Sequence, residues 1–162
     1  MNPKPLTFLL SLTFLFLFSC SSVVLVDDLQ DGLDAAQRQD YKTAYKLWLP
    51  LAEQGFASAQ YNLGVMYRNG LGVPKDYKEA VKWYRLAAEQ GNAGAQFNLG
   101  LMYDNGQGVL QDYSLAHMWW NICFSSGIKV CVKKRNIVEK KMSKQQIEEA
   151  QRLARNWKPT SK

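Results

Sequence analysis

Few residues of this 162-residue sequence are suited to catalysis. Ser126-Gly127-Ile128-Lys129 fits the S-x-x-K pattern, in which a lysine assists a serine nucleophile in β-lactam-reactive enzymes. The Lys-Thr-Gly and Ser-Asp-Asn motifs that accompany it in those enzymes do not follow. The four residues also fall between two expected helices, where Gly127 has a structural reason. We therefore interpret the match as a chance one.

Metal and cofactor chemistry have even less support. His117 is the only histidine, so the sequence offers neither a histidine pair for zinc nor a second histidine for a triad. The glycine pairs Gly70-x-Gly72 and Gly106-x-Gly108 follow an expected helix and lead into a loop, which is the wrong context for a phosphate cradle. We expect no catalytic residue, no metal and no cofactor.

The first 26 residues have the features of an export signal. Lys4 and the α-amino group form a short positive head, and Leu6 to Phe18 is an apolar run broken only by Thr and Ser. That length is typical of a secretory signal and short for a bilayer-spanning helix. Residues 1–26 are therefore predicted to direct the rest of the chain to the periplasm, with cleavage after Ser22 as one option.

Two alternatives remain for this segment. Leu17-Phe18-Ser19-Cys20 resembles a bacterial lipobox, which makes Cys20 a lipidation candidate, although the bulky Phe18 departs from that pattern. Alternatively, Leu6 to Val26 is an uncleaved inner-membrane anchor. All three interpretations place the remaining chain outside the cytoplasm, either soluble or attached to a membrane through its N-terminus.

Charge is distributed unevenly along the chain. Residues 23–127 carry eight Lys and Arg against eleven Asp and Glu, whereas from Ile128 onward eleven basic residues face three glutamates. An exported protein seldom meets nucleic acid, so we expect no nucleic-acid partner. The basic end is interpreted as a solvated face, with anionic lipid or an acidic partner as the functional alternative.

An internal repeat organises the middle of the chain. Asp40-Tyr41, Asp76-Tyr77 and Asp112-Tyr113 recur at a spacing of 36, and residues 40–75 match residues 76–111 at 21 of 36 positions without a gap. Aspartate is a favourable N-cap, and an apolar stripe of helical period follows it. Gly91 then separates this helix from a second, shorter one, so each unit is predicted to be an α-hairpin.

These motifs resemble the Sel-1-like repeat, a relative of the tetratricopeptide repeat. The resemblance rests on the Asp-Tyr-x-x-Ala start, the Ala-Gln-x-Asn-Leu-Gly-x-Met-Tyr second helix and the Gly-x-Gly-Val loop. It implies an all-α fold, a short right-handed superhelix of α-α hairpins with a C-terminal capping helix. After the signal, the predicted order is an N-terminal capping helix at 28–39, repeats at 40–75 and 76–111, a diverged repeat at 112–142, and the capping helix at 143–157.

The capping helices follow from the residues as well. Ser143 with Gln146 forms a predicted capping box, and Ile147, Ala150 and Leu153 begin a buried stripe. At the other end, a short helix should shield the first repeat, because a terminal repeat with a bare apolar face would be insoluble.

The cysteines Cys123 and Cys131 are a disulfide candidate. A shift of 36 residues places them over Ala87 and Ala95, which are expected at the contact between paired helices. A bridge there suits an oxidising compartment, and the alternative is two buried free thiols. Cysteine-rich Sel-1-like proteins also bridge the two helices of a repeat at an eight-residue spacing, one position later than here.

Partner-binding residues are expected where the repeats differ. On the first helix of each unit, one face should align into a strip when the units stack. In tetratricopeptide relatives the corresponding helix lines a concave groove that holds peptides. The predicted strip consists of Lys42, Tyr45, Lys46, Leu49, Lys78, Val81, Lys82, Arg85, His117 and Asn121.

The expected function is an exported scaffold for protein–protein or peptide interaction in the bacterial cell envelope, without catalysis of its own. The alternative, implied by resemblance to the cysteine-rich Sel-1-like proteins, is a cell-wall-related or weakly β-lactam-hydrolysing protein. An ordinary solvated helix face remains the other interpretation of the strip.

Overall fold

The computed structural model describes residues 27–160, and this part of the chain consists of helices joined by turns and short loops. The signal, lipobox and anchor hypotheses, with Cys20, lie outside it. In chain order the helices are α1 (residues 27–37), α2 (Tyr41–Glu53), α3 (Ala57–Asn69), α4 (Tyr77–Glu89), α5 (Ala93–Asn105), α6 (Tyr113–Ser125), α7 (Lys129–Glu139) and α8 (Lys144–Asn156). The expected all-α hairpin solenoid is confirmed.

The repeated aspartates start the first helix of each unit. Asp40, Asp76 and Asp112 each accept a hydrogen bond from a backbone N–H of the first turn. Ser143 and Gln146 form the predicted capping box at the start of α8. These side chains satisfy N–H groups that have no partner within the helix, which explains why the helices begin at these positions.

The N-terminal helix differs slightly from the prediction. Helix α1 ends at residue 37, two residues before the predicted end at Gln39. Gln39 has a positive φ of 63°, and the N–H of Asp40 bonds back to the carbonyl of Ala35. The chain therefore leaves the helix through a left-handed residue, which glycine supplies at most other helix ends here.

The units stack because large aromatic rings lie directly on glycines. Helix α3 packs on α4, and α5 packs on α6. At these contacts Gly64 faces the ring of Tyr84, and Gly100 faces the indole of Trp120. A Cβ atom added to Gly100 would lie 2.5 Å from Trp120 Nε1, so only glycine permits this approach.

The C-terminal helix packs on α6. Met118, Trp119 and Ile122 of α6 share one hydrophobic cluster with Leu153 and Trp157 of the C-terminal segment. The rings of Trp119 and Trp157 meet edge to face, with centroids 6.2 Å apart. Beyond α8 the chain turns back to the second unit, where the N–H of Thr160 donates to the carbonyl of Glu89 at 2.8 Å.

The second helix of the third unit has a small core. Helix α7 buries only Cys131 and Val138, whereas its counterpart α5 buries seven residues. Cys123 and Cys131 form a disulfide between α6 and α7, and both are fully buried. The predicted pairing is thus present, and it joins α7 to α6 where few other apolar contacts do.

Candidate partner-binding face

The first helices of units one and two carry a row of exposed cations. Lys42 and Lys46 lie on α2, and Lys78, Lys82 and Arg85 lie on α4; all five are exposed. Their spacings of three and four residues place them on one side of each helix. We call these five residues the basic strip.

Two of these cations have side-chain partners within the chain. Lys82 forms an ion pair with Glu79 at 3.1 Å, with 58% and 37% of the two side chains exposed. Arg85 donates to the hydroxyl of Tyr103 on α5 at 2.7 Å. Lys82 therefore stays mostly open to solvent, whereas Arg85 also joins the two helices of its unit.

Tyr45 and Leu49 border the basic strip on α2, and both are half-buried. The hydroxyl of Tyr45 lies 2.9 Å from that of Tyr67 on α3, and the two rings meet edge to face. Burial and this hydrogen bond raise the pKa of Tyr67 well above its usual range. The pair fixes the orientation of an aromatic edge next to Lys42 and Lys46.

The predicted strip includes two residues, Val81 and His117, whose side chains are not accessible to solvent. Val81 is 5% exposed and His117 is fully buried. Both are repeat equivalents of Tyr45, and that position faces the second helix of its own unit. A partner binding from solvent would therefore not reach these two residues.

His117 serves the interior of the third unit. Its Nε2 lies 2.7 Å from a carboxylate oxygen of Glu139 on α7, while its buried Nδ1 has no partner among the described residues. Burial lowers the pKa of His117 below its ordinary value, and the hydrogen bond to Glu139 opposes that shift only in part. The histidine is thus a neutral packing residue.

The third unit contributes little to the strip, because α8 covers its first helix. Met118 and Ile122 stand where the second unit has Lys82 and Leu86, and both are buried under the C-terminal segment. Asn121 is half-buried and accepts a hydrogen bond from Arg135 at 3.0 Å. The exposed face therefore covers the first two units.

The sequence analysis did not predict two features, one on this face and one at the third unit. Leu86 is 40% exposed on α4 and adds an apolar side chain to the basic strip. A cavity of about 420 Å³ lies between the end of α6 and the end of α8, lined by residues that include Asn121, Phe124 and Trp157. The sequence did contain a signal that α8 covers the third unit: apolar Met118 and Ile122 stand at the positions that Lys82 and Leu86 occupy in the second unit.

The serine and the lysine of the S-x-x-K match lie at the turn between α6 and α7. Ser126 is the C-cap residue of α6 and Lys129 is the first residue of α7, and both are exposed. The one histidine of the chain is buried against Glu139.

Residues 27–160 contain no cluster of three or more His, Cys, Asp or Glu placed to hold a metal ion. They also include no helix long and apolar enough to cross a membrane.

The family is assigned from the amino-acid sequence of the segments that form the stacked helices. The Sel1 repeat model matches residues 29–56, 57–92 and 93–122, which together span more than half of the chain. The chain belongs to the Sel1 repeat family. The last two matched segments pair α3 with α4 and α5 with α6, the helices that pack most extensively on each other, while α7 and α8 lie beyond the matched residues.

Two solved structures resemble this Sel1 repeat protein. One is a protective antigen present in uropathogenic Escherichia coli strains that displays an SLR fold, with 32% identity and a TM-score of 0.78 over 82% of this chain. The other is a Sel1 repeat protein from Oxalobacter formigenes, with 30% identity and a TM-score of 0.66 over 80% of this chain. The matches span 29% and 56% of those chains, respectively. No curated protein matches the sequence.

Proposed function

We propose that this Sel1 repeat protein is an exported scaffold of the cell envelope that binds an acidic segment of another protein through the basic strip and catalyses no reaction. The observation that carries the proposal is the row of five exposed cations on α2 and α4. Leu86 and the half-buried Tyr45 and Leu49 supply apolar contact area beside those charges. Aromatic anchors next to complementary charges are what protein-binding faces use.

The apolar N-terminal segment supports export, and the disulfide is compatible with an oxidising compartment. Intact-mass measurement on protein recovered from cell fractions tests this part. We expect a mature chain in the envelope fraction that has lost the segment ending at Ser22 or, with lipid attached, the segment before Cys20. A full-length chain in the cytoplasm would refute export.

The binding part is tested with Lys46→Glu/Lys82→Glu, two exposed strip residues, of which Lys82 gives up only its partly exposed ion pair with Glu79. The matched control is Lys144→Glu/Lys158→Glu, two exposed lysines of the C-terminal segment. Proteins captured from envelope extracts by the parent are then purified, and their binding to the parent, the strip variant and the control is measured by calorimetry. We expect a loss of affinity of roughly tenfold or more for the strip variant, since each reversal turns an attraction into a repulsion.

Equal affinities of the strip variant and the control would refute the basic strip as the binding face.

A chromogenic β-lactam tests the non-catalytic part of the proposal. Turnover by the purified protein that disappears in Ser126→Ala would overturn it. We expect no turnover, because Ser126 and Lys129 are both exposed at the turn between α6 and α7, and the one histidine of the chain is buried against Glu139.

A further inference from the structure

The first described helix has an acidic outer face. Residues 27–37 contain four aspartates and no basic residue. Gly32 and Ala35 are buried towards the first unit, where Gly32 meets Trp48. Asp27, Asp31 and Asp34, at spacings of four and three residues, lie along another side of the helix; the first two are exposed and Asp34 is half-buried. We call these three aspartates the acidic end.

The last hairpin has a basic outer face of the same kind. Lys129, Val130, Lys133, Ile137 and Lys140 follow each other along one side of α7 at spacings compatible with a single helix face, and all are exposed. We call these five residues the basic end. Val130 is 44% exposed and Ile137 is 54% exposed, although both are apolar.

The basic end is free of negative charge. The only acidic residue of α7 is Glu139, and its carboxylate is turned towards α6, where it meets His117 at 2.7 Å. The side of α7 opposite its contact with α6 stays open, because α8 packs on α6 instead. In the second unit the equivalents of Lys133 and Ile137 are Phe97 and Leu101, which are partly buried against the core cluster. The basic end thus stands where a solenoid would add its next unit.

We propose that the acidic end of one copy of this protein binds the basic end of a second copy, so that the solenoids associate head to tail. Charge complementarity carries the argument: two aspartates are exposed and a third is half-buried on one face, and three lysines are exposed on the other. The basic end also presents two exposed aliphatic side chains, Val130 and Ile137, which a contact between copies would remove from water.

The contact is heterologous, since it joins two different surfaces, and it leaves one free end of each kind on the pair. Association therefore continues with concentration instead of stopping at a dimer. One helix face on each side makes a small interface, so we expect weak association that is detectable at high protein concentration and low salt. Screening should weaken it, because the Debye length falls from about 30 Å at 0.01 M to about 3 Å at 1 M ionic strength.

Sedimentation velocity of the purified protein tests the proposal. At low ionic strength the weight-average sedimentation coefficient should rise with protein concentration, and at 1 M salt it should stay at the monomer value. A coefficient that stays at the monomer value up to millimolar concentration at low salt would overturn the proposal, as would association that salt does not weaken.

Charge exchange identifies the two faces. Lys129→Glu/Lys133→Glu and Asp31→Lys/Asp34→Lys should each be monomeric alone, because like charges then meet, while an equimolar mixture of the two should associate again. Circular dichroism verifies that both variants fold. The strip variant Lys46→Glu/Lys82→Glu is the matched control and should associate like the parent, which separates this contact from partner binding.

Failure of the mixture to associate would contradict the pairing of these faces. The competing occupant of the basic end is an anionic membrane. If Lys129→Glu/Lys133→Glu abolished binding to phosphatidylglycerol vesicles while the parent stayed monomeric in solution, the head-to-tail contact would be refuted in favour of a lipid surface.

Discussion

Removal of the disulfide between Cys123 and Cys131 should destabilise the third unit more than any other part of the protein. The variant Cys123→Ala/Cys131→Ala is well matched, because alanines occupy the equivalent positions 87 and 95 of the second unit, where they are fully buried at the same helix contact. The alanine pair is therefore compatible with this hairpin geometry. What the variant loses is the covalent link and the contacts of two small sulfur atoms.

The size of the effect follows from the loop that the bridge closes. The two cysteines are eight residues apart, and the chain-entropy relation for a loop of that length gives about 2.5 kcal/mol at 25 °C. For a domain of this size that corresponds to a fall in melting temperature of roughly 8–10 °C if unfolding is cooperative. Helix α7 should be the first part of the protein to lose stability, because Val138 is its only buried residue besides Cys131.

Two measurements check this prediction. Urea unfolding followed by circular dichroism gives the change in the free energy of unfolding, and hydrogen exchange shows where protection is lost. We expect the amides of α7 to exchange faster in the variant and in the reduced parent, while those of α3 and α4 keep their protection. A change below about 0.5 kcal/mol, or uniform loss of protection across all units, would refute the reasoning.

Two further predictions concern buried contacts. Gly100→Ala should lower the free energy of unfolding by about 1–3 kcal/mol in urea titrations, because the new Cβ meets the indole of Trp120, and this overpacking exceeds the gain in helix propensity of about 1 kcal/mol; a stabilised variant would contradict the close packing. Because burial lowers the pKa of His117, the unfolded state binds the proton more readily, so stability should be complete above the ordinary histidine value of about 6.5 and fall as the pH drops below it. The urea midpoint of the parent should therefore be lower at pH 5.5 than at pH 7.5, and His117→Gln should reduce this difference; an equal pH dependence in both proteins would rule out His117 as its source.

The starts of the helices were predictable because their signals are local. Asp40, Asp76 and Asp112 cap helices through their own side chains, and Ser143 with Gln146 does the same for α8. An N-cap needs only the following three residues, so a sequence pattern suffices to locate it. The repeat spacing then extends each local prediction to the next unit.

The strip was only partly predictable, because burial depends on where a helix faces its neighbours. The 36-residue repeat correctly groups Tyr45, Val81 and His117 as equivalents, but neither the repeat nor the helical period shows that this position faces the second helix of the unit. The partners of Tyr45 and His117 reveal it: Tyr67 and Glu139 are themselves repeat equivalents, 22 residues further along the chain in each case. Comparing pairs of positions between units, and not single positions, would have found this contact.

The placement of α8 on α6 depends on tertiary contacts that no local pattern contains. The capping box predicts where α8 begins, and its apolar stripe predicts that one side is buried, but neither selects α6 over α7. The presence of the buried Met118 and Ile122 in place of the exposed Lys82 and Leu86 of the second unit indicates that α6 is the covered helix. Only a comparison of the third unit with the second reveals it.

The bond between Thr160 and Glu89 joins residues that are 71 positions apart in a chain whose other contacts mostly connect neighbouring helices. Stacks of repeats fold by propagation from unit to unit, so their rates are set by short loops. The C-terminal segment departs from that rule, since it contacts both the second and the third unit and has no complete binding surface until both exist. We therefore infer that it attaches in the last step of folding, and that its release is the first step in unfolding of the C-terminal half. Until it is released, the C-terminal segment therefore couples the opening of two neighbouring hairpins.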